Sequence, residues 1–271
     1  MPPQVVGQSY GKSSVRLSRI TREGTRHQCI ELRISISLQG DFDAAYTRSD
    51  NRLIIPTDTM KNIVYVLAKR EGVRALEPFA LLVAGHFLEH YAHVRVVSVD
   101  IEQKPWRPLF VGDREHPNAF VGDGSERWQC KLMAQRGEMQ MRSGISGLQI
   151  LKTAGSRFRG FWKDDYTTLA ETDERILATT VECDWPCRDH SLDWTEIRQR
   201  IRASLLEEFA CGESDSAQQT MYGIATRVLD LCPEVDEVSL TFPNQHHLPV
   251  DLAPFGLENE NEVFSPTDEP Y

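Results

Sequence analysis

Residues 29–40 read CIELRISISLQG, the clearest periodic pattern in the sequence. Apolar side chains at positions 30, 32, 34, 36 and 38 alternate with Glu, Arg and Ser. Because successive side chains of a β-strand point to opposite faces, this alternation predicts a strand with one buried and one solvated face, as in antiparallel sheets. Apolar residues around positions 15–17 predict a shorter partner strand before it.

After that strand, the apolar residues recur at the spacing of a helix. Thr and Asp are good capping residues, so Thr57 and Asp58 predict the start of a helix, and apolar residues recur at helical spacing from position 60. A second helix is predicted over residues 77–92, strands are predicted over 94–102 and 127–135, and an irregular loop over 105–124.

The second half of the chain repeats this order of strands, two helices and strands. The predicted elements are strands over 147–152 and 177–185, helices over 193–210 and 216–232, and a final strand pair or bent strand over 237–251. An antiparallel sheet with one solvated face needs helices over its other face, so the pattern predicts an α+β fold with an internal duplication.

The amino-acid composition disfavours some classes of binding partner. The 271 residues include 30 Lys and Arg against 40 Asp and Glu, a net charge of −10, whereas proteins that act on phosphate backbones usually carry a basic excess. No apolar stretch is long enough to span a bilayer, and the first residues lack a secretory signal pattern. We therefore expect a cytoplasmic protein with no nucleic acid or membrane partner, whose six cysteines are reduced and mostly buried.

Two motifs point to chemistry that the surrounding sequence does not support. Gly11-Lys12-Ser13 has the ending of a phosphate-binding loop, but Val6 stands where that loop needs Gly, and the following residues read as a strand. His86, Glu89 and His90 match the HxxEH spacing of zinc peptidases, but no distant acidic ligand is identifiable. We therefore expect no metal site, and a metallopeptidase is the least favoured alternative.

Eight segments, in order along the chain, resemble urate oxidase (uricase), and the bacterial members most closely. They are YGKSSVRL (10–17), TDTMKN (57–62), FRGF (158–161), DYTTL (165–169), RILAT (175–179), QQTMY (218–222), PNQHH (243–247) and GLEN (256–259). The resemblance covers nearly the whole chain. It implies the tunnelling fold (T-fold), with tandem ββααββ units over residues 1–138 and 139–271. It further implies a barrel closed by dimerisation with helices outside, and a homotetramer whose active sites lie between subunits.

The resemblance also implies the reaction and its residues. Members of the family oxidise urate with O2 and water to 5-hydroxyisourate and hydrogen peroxide in purine catabolism, without a metal or organic cofactor. The residues matched to substrate binding are Thr57, Asp58, Phe158, Arg175, Ala217, Gln218 and Asn244. Lys12, Thr57 and His246 match the catalytic proton relay.

Two positions depart from the family pattern. Ala217 stands where Val is common, and Gln245 stands where Lys is common, so we expect a looser wall beside the purine and one positive charge fewer near the anion site. Two alternatives remain open: another T-fold enzyme that binds purines or pterins, and an inactive binding homologue.

Overall fold

The structure is a computed structural model that describes residues 4–122 and 124–267. The protein forms two compact units. The first unit runs to Gly144 and includes Trp185–Thr195, and the second comprises Ile145–Asp184 and the chain from Glu196 onward. The boundary between the two ββααββ units, predicted to lie between residues 138 and 139, stays a prediction. Among the described residues, no helix combines the length and apolarity needed to cross a membrane.

The first unit is an antiparallel sheet covered by helices. Its sheet strands are β1 (Tyr10–Glu23), β2 (Arg26–Gly40), β3 (Val94–Lys104) and β6 (Arg127–Gln135), followed by the start of β7 (Glu138–Lys152). The helices are α1 (Asp43–Arg48), α2 (Thr57–Arg70) and α3 (Leu76–His90), and α3 packs on β3 and β6. The alternation in β2 is confirmed, because Leu32, Ile34, Ile36 and Leu38 are all buried on one face.

Residues 105–124 differ from the sequence expectation. The predicted irregular loop is wrong: Trp106–Val111 (β4) and Arg114–Gly122 (β5) form an antiparallel hairpin. Gly112 adopts φ +61°, which a glycine reaches without steric cost, so Gly112 and Asp113 turn the chain between the strands.

The second unit contains the rest of β7, followed by β8 (Leu177–Pro186), α4 (Trp194–Cys211) and α5 (Ala217–Leu231). Three short strands complete it: β9 (Ser239–Thr241), β10 (His246–Pro249) and β11 (Phe264–Thr267). The expected final strand pair over 237–251 is wrong, because β9 pairs with β8 whereas β10 pairs with β11. Both units are α+β with antiparallel pairing, as predicted.

Candidate active site

The second unit contains a cavity of about 580 Å³ that gathers residues from four separate segments. Six of the residues predicted to act on substrate line it: Phe158, Arg175, Ala217, Gln218, Asn244 and His246. The remaining wall is largely apolar and includes Ile176, Met221 and Phe264. A mainly apolar cavity with a few converging polar groups is the usual form of a small-molecule site.

Phe158 is held by its backbone and by a second ring. Its N–H donates to the Thr172 carbonyl (2.9 Å), and the Thr172 N–H donates back to the Phe158 carbonyl (3.1 Å). The Phe158 and Phe161 rings stack with their centroids 4.8 Å apart and their planes at 14°. These contacts fix the tilt of the Phe158 ring at the edge of the cavity, which suits stacking against a flat heterocycle.

Arg175 contributes a positive charge to the wall of the cavity. Its backbone N–H donates to the Ser156 carbonyl (2.8 Å), and its Nε donates to the Ser156 hydroxyl (3.3 Å). The guanidinium carbon lies 5.1 Å from the centroid of the Phe158 ring, within cation–π range. Burial lowers the pKa of Arg175, yet arginine remains cationic in proteins. Within the described residues no carboxylate pairs with Arg175, so its charge is available to an anion.

The start of α5 forms another wall. The Ser216 hydroxyl caps this helix by accepting from the Gln219 N–H (3.1 Å), and Ala217 and Gln218 occupy the first two helical positions. The first N–H groups of a helix lack partners within the helix, and the helix dipole makes this end attractive to anions. Gln218 adds a side-chain donor and acceptor at the same place.

The segment before β10 supplies the last polar wall. Asn244 forms an isolated antiparallel bridge with Thr179, and its Nδ2 lies 3.3 Å from Nδ1 of His246. Gln245 faces elsewhere: its Nε2 donates to the Thr180 hydroxyl (3.1 Å), and it lines a separate cavity. Gln245 is not among the residues that line the anion cavity, and its effect on the charge near that cavity stays a prediction.

Lys12, Thr57 and Asp58 lie in the first unit. A β-bulge follows Lys12 on β1, and Ser14 in this bulge has φ 56°, a conformation unusual for a residue other than glycine. A Cβ on Gly11 would overlap the Ile36 carbonyl, which explains the glycine before Lys12.

Thr57 is the first residue of α2. Pro56, rather than Thr57, is the N-cap residue, so the capping interpretation of Thr57 is wrong. Asp58 accepts a hydrogen bond from Lys61 (2.5 Å), which holds the pKa of Asp58 below its ordinary value, and the charge of Lys12 acts in the same direction. β1 and α2 contact each other, so Lys12 and Asp58 lie on neighbouring elements.

Tyr10 holds these two segments in place, a role that no sequence pattern indicates. Its hydroxyl accepts from the Ile55 N–H (2.8 Å) and donates to the Ile55 carbonyl (3.2 Å), which joins β1 to the residues just before α2. Its ring packs edge-on against Phe42 at 4.8 Å, and burial raises its pKa.

The remaining motif residues form no metal centre in the described part of the chain. The rings of His86 and His90 stack 4.1 Å apart on α3, and Nδ1 of His90 lies 2.9 Å from the His86 carbonyl. Across residues 4–122 and 124–267, no group of three or more His, Cys, Asp or Glu side chains is placed to hold an ion. All six cysteines are thiols, and four are buried.

Comparison with known proteins assigns the family. The sequence model of the family described as Uricase matches residues 8–132 and 141–271. The chain belongs to the uricase family. It is 41% identical to the uricase of Arthrobacter globiformis over 98% of this chain and 87% of that protein. It is 36% identical to the uricase of Oryctolagus cuniculus, covering 99% and 92% of the two chains.

Solved structures of uricases share the fold. The crystal structure of the Arthrobacter globiformis uricase superposes with a TM-score of 0.93 at 39% identity, covering 100% of this chain and 93% of that one. A urate oxidase from Bacillus sp. TB-90 superposes with a TM-score of 0.82 at 23% identity, covering 97% of both chains. At that identity the second likeness concerns the fold alone.

Proposed function

We propose that this chain is a cofactor-independent urate oxidase that converts urate, O2 and water into 5-hydroxyisourate and hydrogen peroxide. Urate loses two electrons, O2 gains them with two protons, and water supplies the new hydroxyl group, so the atoms balance. The observation that carries the proposal is the meeting of Phe158, Arg175, Gln218 and Asn244 around one cavity in a chain of the uricase family. The family assignment favours this reaction over the pterin-enzyme and inactive alternatives.

The walls of the cavity match what a flat anion needs. We infer that Phe158 stacks on the purine, that Arg175 binds one edge with two parallel donors, and that Gln218 binds the opposite edge with a donor and an acceptor. The start of α5, with Ala217, favours the negative charge. These contacts orient urate and neutralise its charge without any metal.

We assign proton transfer to a second set of residues. We infer that Thr57, Lys12 and His246 relay the proton from urate, since a Thr hydroxyl needs a neighbouring base to accept its proton. Together with Thr57, the side-chain amide of Asn244 forms a small polar site above the face of the purine ring. This site binds O2 and then the attacking water. Asp58 assists substrate binding beside Thr57.

The proposed site is completed by another subunit. Lys12, Thr57 and Asp58 of one chain would meet the Phe158 cavity of its neighbour in a homotetramer of tandem ββααββ units. The edge of the sheet supports this arrangement, because β1 spans 14 residues and pairs only with β2 within the described residues. A long open edge is a template for pairing with a second chain, and barrel closure removes it.

Substrate turnover by an Arg175→Ala variant tests the function. The wild-type protein should oxidise urate, and the variant should lose at least about 30-fold in kcat/KM, because removing one partner of a buried charged pair costs about 2 kcal/mol or more. Unchanged turnover in a folded Arg175→Ala protein would contradict the assignment.

Mixed assembly tests the shared site. Thr57→Ala and Arg175→Ala subunits should each be nearly inactive, but random co-assembly in dimers with two equivalent sites should restore about a quarter of the sites. Sites built within a single chain would regain no activity in the mixture, and this result would overturn the shared-site proposal.

A further inference from the structure

A chain of buried hydroxyl groups leads from Arg175 to the first turn of α5. Nε of Arg175 donates to Oγ of Ser156 (3.3 Å), which lies 3.3 Å from Oγ of Ser214. Oγ of Ser214 lies 2.8 Å from Oγ1 of Thr220, which is 3.1 Å from the Ser216 carbonyl. Ser156, Ser214 and Thr220 are 0%, 2% and 5% exposed, so water does not supply their partners.

The hydrogen-bond donors at the two ends of this chain of hydroxyl groups are defined. A guanidinium group only donates, a carbonyl only accepts, and each hydroxyl has one proton. Arg175 therefore donates to Ser156, Thr220 donates to Ser214 at the other end, and either of Ser156 and Ser214 can donate to the other.

We propose that Ser156, Ser214 and Thr220 are positioning residues that select which edge of the Arg175 guanidinium meets the substrate. Because Nε is engaged by Ser156, the two terminal nitrogens, Nη1 and Nη2, form the donor pair directed to the ligand. Within the described residues these two nitrogens make no hydrogen bond. The donor pair fits two adjacent acceptors on the edge of a purine anion.

The chain of hydroxyl groups also links two walls of the cavity. It ends at the Ser216 carbonyl, in the turn that presents Ala217 and Gln218, so the Arg175 edge and the α5 edge are tied to one another. The spacing between the two substrate-binding edges is thus set by buried groups that touch no substrate. This inference rests on the proposed function, because the ligand it assumes is urate.

Thr220→Val is the sharpest test, because it removes one hydroxyl and preserves the shape of the side chain. The Ser216 carbonyl keeps the backbone N–H of residue 220 as a donor (3.1 Å), so the substitution leaves only Ser214 without the proton that it accepts from Thr220. Urate binding, measured by titration without O2, should weaken about 5- to 30-fold, as expected when one buried hydroxyl loses its partner. Thr220→Ser should restore the wild-type affinity.

Thr226→Val is the matched control. Thr226 lies on the same helix, and its hydroxyl makes the same kind of bond, to the Tyr222 carbonyl (2.9 Å), but it faces solvent outside the chain of hydroxyls. Its affinity for urate should equal that of the wild-type protein. A merely structural role for Thr220 would lower the melting temperature and leave the urate affinity of the folded protein unchanged, and this result would overturn the proposal.

A double-mutant cycle tests the route through Arg175. Lysine has no Nε–H in a planar fork, so Thr220→Val should cause no further loss of affinity in an Arg175→Lys background. Additive losses would overturn the proposed coupling. A wild-type protein that neither binds nor oxidises urate would instead overturn the proposed function, whereas wild-type turnover with an unaffected Thr220→Val variant would overturn this inference alone.

Discussion

Replacing Phe158 with alanine should weaken urate binding and leave the chemical step largely intact. The Phe158 ring lines the cavity, stacks on Phe161 at 4.8 Å and lies 5.1 Å from the guanidinium carbon of Arg175. Stacking of a base on an aromatic side chain contributes about 1–3 kcal/mol, as measured by alanine substitution. The dissociation constant for urate should therefore rise about 5- to 150-fold.

The assay is a titration with urate without O2, which measures binding in the absence of turnover. Steady-state kinetics in air should show a raised KM with little change in kcat, because the stack holds the substrate and the transition state alike. Phe158→Leu keeps an apolar side chain but lacks the flat ring, and its affinity should fall between those of the wild-type and alanine proteins.

Two results would contradict this role of Phe158. If Phe158→Ala binds urate within twofold of the wild-type protein and unfolds at the same temperature, the ring does not stack on the substrate. If kcat falls while the affinity is retained, Phe158 acts in the chemical step, and the division of roles proposed here is wrong.

Two further predictions concern the relay and a titrating histidine. Thr57→Ala and Lys12→Met should each lower kcat about 10²- to 10⁴-fold with little change in KM, as measured by urate loss, and full activity in Thr57→Ala would rule out the relay. Burial and then the charge of His90 lower the pKa of His86, so the unfolded chain binds the proton more readily. This contribution to stability is complete above about pH 6.5 and is lost as the pH falls below it. His86→Gln should therefore flatten the fall in the urea midpoint between pH 7.5 and 5.5, and an unaltered pH dependence would contradict this.

The sequence predicted the parts of the fold whose patterns are local. Alternation in β2 and helical spacing in α5 follow from burial of one face, and each can be recognised within a single segment. The hairpin over residues 106–122 was missed although Gly112-Asp113 is a recognised hairpin turn, because its strands leave Phe110 and Val111 exposed and show no buried face. The pairing of β10 with β11 joins four-residue strands, which are too short for a periodic signal.

The sequence predicted six residues that line the cavity, but it did not predict their geometry. The resemblance to the family supplied Phe158 and Arg175, and the single-residue patterns around them carry no such information. Ser156 and Ser214 are 58 residues apart in the chain, and no local pattern marks either of them as a partner of Arg175. Contacts of this kind arise only when the tertiary fold brings distant segments together.

The most direct test of the central claim is the stoichiometry of one reaction. The purified protein is treated with a metal chelator, mixed with urate in air-saturated buffer, and followed by the near-ultraviolet absorbance of urate, by O2 uptake and by peroxide release. We expect one O2 to be consumed and one peroxide to be released for each urate lost, at a rate that the chelator does not change. No loss of urate by the folded protein, or activity that disappears with the chelator and returns with added metal, would contradict the proposed function.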